Sequence, residues 1–260
     1  MQTAKKPLII AGAGILKSRA SKELKELAEK ANIPVTMTLL GLGGFPTKHD
    51  LSLGMLGMHG TVYANYATAE ADLIIAAGIR FDDRITGNPD KFCKNAKIIH
   101  IDIDPAEIGK NKKPDVPIVG DLKQVISALN KEIAKDEKLY NHAEWIKQVQ
   151  EWKKEYPVMY KAVPEDKLVP QEVLEELDKI IKGNAIITTD VGQHQMWAAQ
   201  YLSYENPDHM ITSGGAGTMG FGMPAAVGAQ IAMPDKKVIS ISGDGGFQMT
   251  FQELMMLKQY

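Results

Sequence analysis

Several short stretches of this chain set a charged side chain beside glycines at the end of an apolar run, where a ligand could be gripped. Gly243-Asp244-Gly245-Gly246 follows Lys237-Val238-Ile239-Ser240-Ile241. A strand that delivers a carboxylate into a glycine turn can bring Mg²⁺ to Asp244 oxygen on one side and to phosphate oxygens on the other. By itself the triplet serves equally as a tight turn with Asp244 capping the next helix. Gly192-Gln193-His194-Gln195 and Gly214-Gly215-Ala216-Gly217-Thr218-Met219-Gly220 follow strands in the same half, so the three loops are expected to line one crevice. Arg80-Phe81-Asp82-Asp83-Arg84 follows the run Leu73-Ile74-Ile75-Ala76-Ala77. Its guanidiniums suit bidentate binding of phosphate or carboxylate with the aspartates orienting them, and an exposed ion-pair cluster is the competing reading. His100-Ile101-Asp102-Ile103-Asp104 and Gly120-Asp121 put further acids at strand ends. Asp102 could accept from ribose hydroxyls, and Asp121 either joins it or caps a helix. Gly12-Ala13-Gly14 after the first strand permits close approach of a diphosphate, but Lys17 replaces the third fingerprint glycine. No acid ends the second strand, so a nicotinamide site is a poor match, leaving a phosphate turn and a plain structural turn open. Glycines 41, 43, 44, 54, 57 and 60 surround Met58 and His59, as in loops that wrap a large flat ligand or merely connect elements; no partner at ligand spacing makes His59 a metal ligand.

These residues need a scaffold, and the pattern supplies one. Strand-like runs at Leu8-Ile9-Ile10-Ala11, 34–38, 73–77, 97–101 and 116–119 alternate with helical stretches such as 21–31. Strands apolar on both faces and separated by helices imply an α/β fold with a doubly wound parallel sheet. A charged segment interleaved with Trp145, Ile146, Val149 and Trp152 predicts a one-faced helix within a linker over 136–166. After it the pattern restarts: a helix over 170–181, strands at 185–189 and 237–241, and helices near 195–202, 224–233 and 247–260. Domains are therefore expected at 1–135 and 167–260, the second an incomplete α/β unit.

Thirty Lys+Arg against 32 Asp+Glu leave a net charge of -2, which argues against a basic nucleic-acid binder or a polybasic membrane anchor. Cys93 is the one cysteine, so no intrachain disulfide and no multi-thiolate zinc site can form. Apolar runs are far shorter than the ~20 residues that span a bilayer, and the start leaves no room for a signal peptide, so a soluble, cytoplasmic protein is expected.

Taken together, Gly57-Met58-His59-Gly60, the 80–84 stretch with Thr86-Gly87, Gly192-Gln193-His194-Gln195-Met196-Trp197-Ala198-Ala199-Gln200, and Met219-Gly220-Phe221-Gly222 with Pro224-Ala225-Ala226 resemble the large catalytic subunits of acetolactate (acetohydroxyacid) synthases. The resemblance implies a central FAD-binding domain followed by the opening part of a thiamine-diphosphate domain. The family's first domain, with its catalytic glutamate, and a second metal ligand beyond Tyr260 would be absent, so the isolated chain is expected to be inactive. Gln193 and His194 would lie against thiamine diphosphate, and Gly217, Thr218 and Met219 would hold its aminopyrimidine, Met219 bending the coenzyme. Asp244 would bind Mg²⁺, with Gly245 and Gly246 on the diphosphate. Arg84 would meet the ketoacid carboxylate, and Met58 would line the substrate channel. FAD, as a structural requirement, would lie along Gly12, Ala13, Gly14, Met58, His59, Gly60, Arg80, Asp82, Arg84, Ile85, Asp102, Ile103 and Asp121. The implied reaction condenses pyruvate with a second pyruvate or 2-ketobutyrate on the way to branched-chain amino acids. A homo-oligomer with a small regulatory subunit is implied as well. A different flavin-containing thiamine-diphosphate enzyme, of the pyruvate oxidase or glyoxylate carboligase type, should lack the arginine pair and the QHQMWAAQ run. A non-catalytic FAD-binding fragment is the reading from another class.

Overall fold

The computed structural model describes residues 1–135, 140–161, 164 and 167–259. The chain divides into two compact units, Met1–Pro157 and Val158–Tyr260.

The first unit is built on a six-stranded, all-parallel sheet: β1 (Pro7–Ala11), β2 (Val35–Met37), β3 (Ser52–Met55), β4 (Leu73–Ala77), β5 (Lys97–Asp102) and β6 (Val116–Val119), in the order β3-β2-β1-β4-β5-β6. Every residue of β1 and β4 is buried, as expected for central strands covered on both faces. The order reverses between them, and the carboxyl edge at such a switch point is where these sheets take ligands. Helices α1 (Ala13–Lys17), α2 (Ser21–Ala31), α3 (Val62–Glu70), α4 (Asp83–Thr86) and α5 (Leu122–Ile133) fill the connections. Leu24, Leu27, Ala28 and Ala31 form the buried stripe of α2, at the helical spacing seen in the sequence.

The expected linker helix is α6 (Ala143–Glu155), and it packs onto the first unit instead of standing between two domains. Trp145 Nε1 donates to the Pro7 carbonyl at 2.9 Å, and Trp145 and Val149 enter the core beside Leu8, Ile10, Ile74 and Phe81. The packed face is where the sequence spacing put it, and the structure adds what that face covers. The linker residues Asp136, Glu137, Lys138 and Glu165 lie outside the described residues.

The second unit holds α7 (Pro170–Ile181), β7 (Ile186–Thr189), α8 (Gln193–Tyr201), β8 (Met210–Thr212), α9 (Gly222–Ala232), β9 (Val238–Ile241), α10 (Asp244–Thr250), a 3-10 turn at Phe251–Met255 and α11 (Met256–Gln259). Its parallel sheet runs β8-β7-β9, with β7 in the middle. The three loops that follow these strands therefore leave from one edge. No helix among the described residues is long and apolar enough to cross a membrane.

Candidate functional site

In the second unit the three loops meet at Asp190, the residue that follows β7 and is 1% exposed. Its Oδ1 accepts from Val191 N at 2.9 Å and from Gly220 N at 3.1 Å, and its Oδ2 accepts from Gly222 N at 3.0 Å. The loop after β8 is thereby tied to the end of β7. The loop after β9 closes the third side: a Cβ on Gly246 would lie only 2.3 Å from Asp190 Oδ1. Glycine is required there because a buried carboxylate occupies the space. Gly222 is pinned similarly, since its Cβ would sit 2.5 Å from Asp190 N, while Thr188 Oγ1 donates to its carbonyl at 2.8 Å.

Around this post the expected coenzyme residues come together. His194 lies against the turn after β9, its ring 3.2 Å from a Cβ built on Gly243. Met219, 45% exposed, approaches Gly245, where a Cβ would stand 3.3 Å from its Cε. Gly217 and Gly220 adopt φ of +65° and +85°, conformations that favour glycine, and Thr218 N donates to Ser213 Oγ at 3.0 Å. Gln193 opens α8 on the exposed side, whereas Gln195 is buried and donates to Thr212 Oγ1 at 2.7 Å, fixing the helix to β8. Asp244 is exposed. The capping alternative for this carboxylate fails: Gly243 is the N-cap of α10, Asp244 is the first helical residue, and no side chain caps the helix. Its oxygens are left to face outward.

The electrostatics follow from burial and backbone dipoles. Burial pushes the Asp190 carboxyl up, but the N–H groups of Gly222, Val191 and Gly220, with His194 nearby, outweigh it and hold the group below the usual range. Burial lowers His194, and the Asp190 charge and a bond to the Asp190 backbone offset this only in part. His194 Nε2 has no hydrogen-bond partner. Among the described residues no group of three His, Cys, Asp or Glu could hold a metal. A lone exposed carboxylate such as Asp244 could meet a hard cation only if that cation took its other ligands from phosphate and water.

In the first unit the expected flavin residues all lie on the carboxyl edge of the sheet, but they are held differently than the sequence suggested. Gly12 N donates to Ala77 O and Gly14 N to Gly78 O, so these amides are not free to cradle a phosphate. What the glycines permit is contact between main chains. A Cβ on Gly12 would lie 2.2 Å from Gly78 O, and one on Gly14 2.7 Å from Gly78 Cα. The glycine loops read at 41–46 and 54–60 flank the edge strand β3, which the second of them overlaps at Gly54 and Met55; its four residues are too short a run to declare alternation.

Phe81 is the keystone of the 80–84 turn. It is buried with φ +50°, packed edge-on to His100 at 5.0 Å, while His100 Nε2 bonds the Ile79 carbonyl at 2.9 Å. Burying Phe81 throws its neighbours outward. Arg80 is exposed, with Nη2 3.8 Å from Asp82 Oδ2, a loose pair, and its carbonyl accepts from Asn111 Nδ2 at 2.9 Å. Arg84 and Met58 are both exposed and joined through the backbone, Met58 N donating to Arg84 O at 2.9 Å. Asn65, unforeseen from sequence, clamps this corner by bonding both N and O of Gly57. His59 is exposed, Gly60 packs on the Leu56 backbone, and Ile85 is half-buried. Asp102 Oδ1 accepts from Asp104 N at 3.0 Å and Ile103 is 69% exposed. Asp121 caps α5, accepting from Gln124 N at 3.1 Å, so the capping reading holds for it.

Asp190 is the residue that sequence reasoning missed. It directly follows an apolar strand, much as Asp102 closes β5, and that same signal would have found it.

Two family models match the chain: "Thiamine pyrophosphate enzyme, central domain" over residues 1–129 and "Thiamine pyrophosphate enzyme, C-terminal TPP binding domain" over 190–260. The chain is 52% identical over 260 residues to the acetolactate synthase large subunit of Lactococcus lactis, covering 100% of this chain and 44% of that protein. It is 52% identical over 273 residues to a probable acetolactate synthase large subunit of Methanococcus aeolicus, covering 99% and 45%. It is 50% identical over 257 residues to the chloroplastic acetolactate synthase 1 of Nicotiana tabacum, covering 98% and 38%. The chain thus spans less than half the length of these relatives. The matches cover both units, and the chain belongs to the thiamine pyrophosphate enzymes, as a relative of the acetolactate synthase large subunits.

Proposed function

We propose that the chain forms the flavin-binding domain (1–135) and part of the thiamine-diphosphate-binding domain (167–260) of an acetolactate synthase. Such an enzyme condenses pyruvate with a second pyruvate or with 2-ketobutyrate. The observation that carries this reading is the convergence of the three loops on Asp190, which sets His194, Met219 and Asp244–Gly246 along one edge. In this reading Asp244 holds Mg²⁺, Gly245 and Gly246 take the diphosphate, and Gln193 and His194 flank it. Gly217, Thr218 and Met219 seat the aminopyrimidine, with Met219 as the bulky support. When bound, thiamine diphosphate supplies the electron sink that lets a 2-ketoacid lose its carboxylate. The chain's own part is orientation: a cradle of main chain in which little has to reorganise.

The carboxyl edge of the first unit suits FAD: Arg80, Asp82 and Ile85 after β4, Asp102 and Ile103 at β5 and Asp121 after β6 all follow strands on the same side of Gly12–Gly14, and His59 and Gly60, which follow β3, belong to the same site. Arg84 binds the ketoacid carboxylate and Met58 lines its approach. A soluble cytoplasmic homo-oligomer with a small regulatory subunit completes the proposal.

Titration of the chain with FAD, and with thiamine diphosphate with and without Mg²⁺, tests it. Flavin binding is expected, as is coenzyme binding that requires Mg²⁺ and is lost in Asp244→Asn. Acetolactate formation is expected only from a polypeptide of the relatives' full length. Absence of both binding events would overturn the assignment, and reduction of bound flavin by pyruvate would redirect it to an oxidase.

A further inference from the structure

We infer that Asp190 is a positioning residue for the coenzyme cradle: its carboxylate locks the loop after β8 and the turn after β9 into one arrangement before any ligand arrives. This deepens the proposed function, since it rests on reading this edge as the thiamine-diphosphate site.

Three observations carry it. The carboxylate is almost wholly buried, yet its bonds go to the backbone of its own loop and of the loop after β8, with no side chain among them. The bonded residues Gly220 and Gly222 bracket the run that brings Met219 up to Gly245. The turn after β9 has no side chain at 246 and so fits directly over the carboxylate. A buried charge is costly unless fully hydrogen-bonded, so a position needing only to fill space would hold an apolar residue. An anion bonded to N–H groups of separate loops specifies one geometry, because each loop is needed to satisfy it.

The test exploits the asymmetry of the bonds. In Asp190→Asn one oxygen can still accept from Val191 and Gly220, but the amide NH₂ now faces Gly222 N–H and cannot accept. Amide exchange of the ¹⁵N-labelled chain should therefore quicken about tenfold or more at Gly222, while Val191, Gly220 and the β7 core stay protected. In Asp190→Ala all three amides should open. With a polypeptide of full family length, Asp190→Asn should raise the KM for thiamine diphosphate about tenfold and leave kcat at saturating coenzyme within twofold. A merely structural role would lower kcat through loss of folded enzyme and leave the coenzyme KM unmoved; that result would overturn the inference, as would an exchange pattern at Gly222 identical to wild type. If Gly222 opens as described but the unaltered chain and enzyme ignore thiamine diphosphate, the lock stands and the functional reading falls. Should Asp190→Ala fail to fold, the single-amide pattern of Asp190→Asn still decides the matter.

Discussion

Gly246→Ala probes the heart of the second unit. By propensity alone the change should help, since alanine is favoured over glycine in a helix interior by about 1 kcal/mol. The structure predicts the reverse. The new methyl would sit 2.3 Å from Asp190 Oδ1 and 2.5 Å from its Cγ, so the carboxylate must move. Moving it strains or breaks the bonds to Gly220 and Gly222, and hydrogen bonds to charged groups contribute about 1.5–3 kcal/mol each. Two lost bonds less the helical gain leave a net cost of about 2–5 kcal/mol. The assay is urea unfolding followed by fluorescence. Trp197 reports on the second unit, and replacing Trp145 and Trp152 on α6 with Phe silences the first. Separate reporters are needed because two units do not guarantee one transition. In an Asp190→Ala background the obstacle is gone, and the same Gly246→Ala change should cost nothing or stabilise slightly. The double-mutant cycle should therefore show a coupling of about 3 kcal/mol. Equal costs in both backgrounds would refute the idea that these two positions share one space.

Other outcomes follow from the same geometry. Gly78→Ala should destabilise the first unit by about 3 kcal/mol, combining strain at φ +64° with overlap onto Gly14 Cα at 2.6 Å, read through Trp145 and Trp152; an unchanged urea midpoint would contradict it. Burial holds both His194 and His209 below their ordinary value of 6.5. The unfolded chain then takes up protons that the folded chain refuses, so the second unit's midpoint should fall between pH 7 and pH 5.5, and a flat profile would count against this burial. Asp190, held below 3.8, loses its contribution only in stronger acid. Arg84→Ala, being exposed, should leave stability within about 0.5 kcal/mol. In a full-length enzyme it should raise the ketoacid KM roughly tenfold to a hundredfold, as expected for losing a charge-assisted contact, with FAD affinity changing less; unchanged ketoacid kinetics would remove it from the substrate role.

Period and glycine punctuation made much of this legible. The stripe at 21–31 and the fully apolar runs at 8–11 and 73–77 carry their own evidence of burial, and the structure forms α2, β1 and β4 there. Strand β3 was hidden because four residues between glycines are too few to show alternation. The docking of α6 was hidden because an amphipathic helix announces that it has a partner but not which one. Asp190 follows a readable apolar run, but the sequence displays which glycines could host a ligand and not which are consumed by the protein itself. At Gly246 and at Gly12–Gly14 the missing side chain makes room for a neighbour within the fold.

The coenzyme edge is composed almost entirely of peptide groups anchored by one hidden anion, so it offers natural selection few handles. A lineage that acquires a new ligand preference cannot readily do so by adding side chains at Gly192, Gly243, Gly245 or Gly246, where they would meet His194, Met219 or the Asp190 carboxylate. Innovation is instead steered toward outward-facing side chains such as Met58 and Arg84, which can be exchanged without disturbing the folded framework. A framework fixed from within, beside side chains that face outward, is what would let one architecture diversify its chemistry.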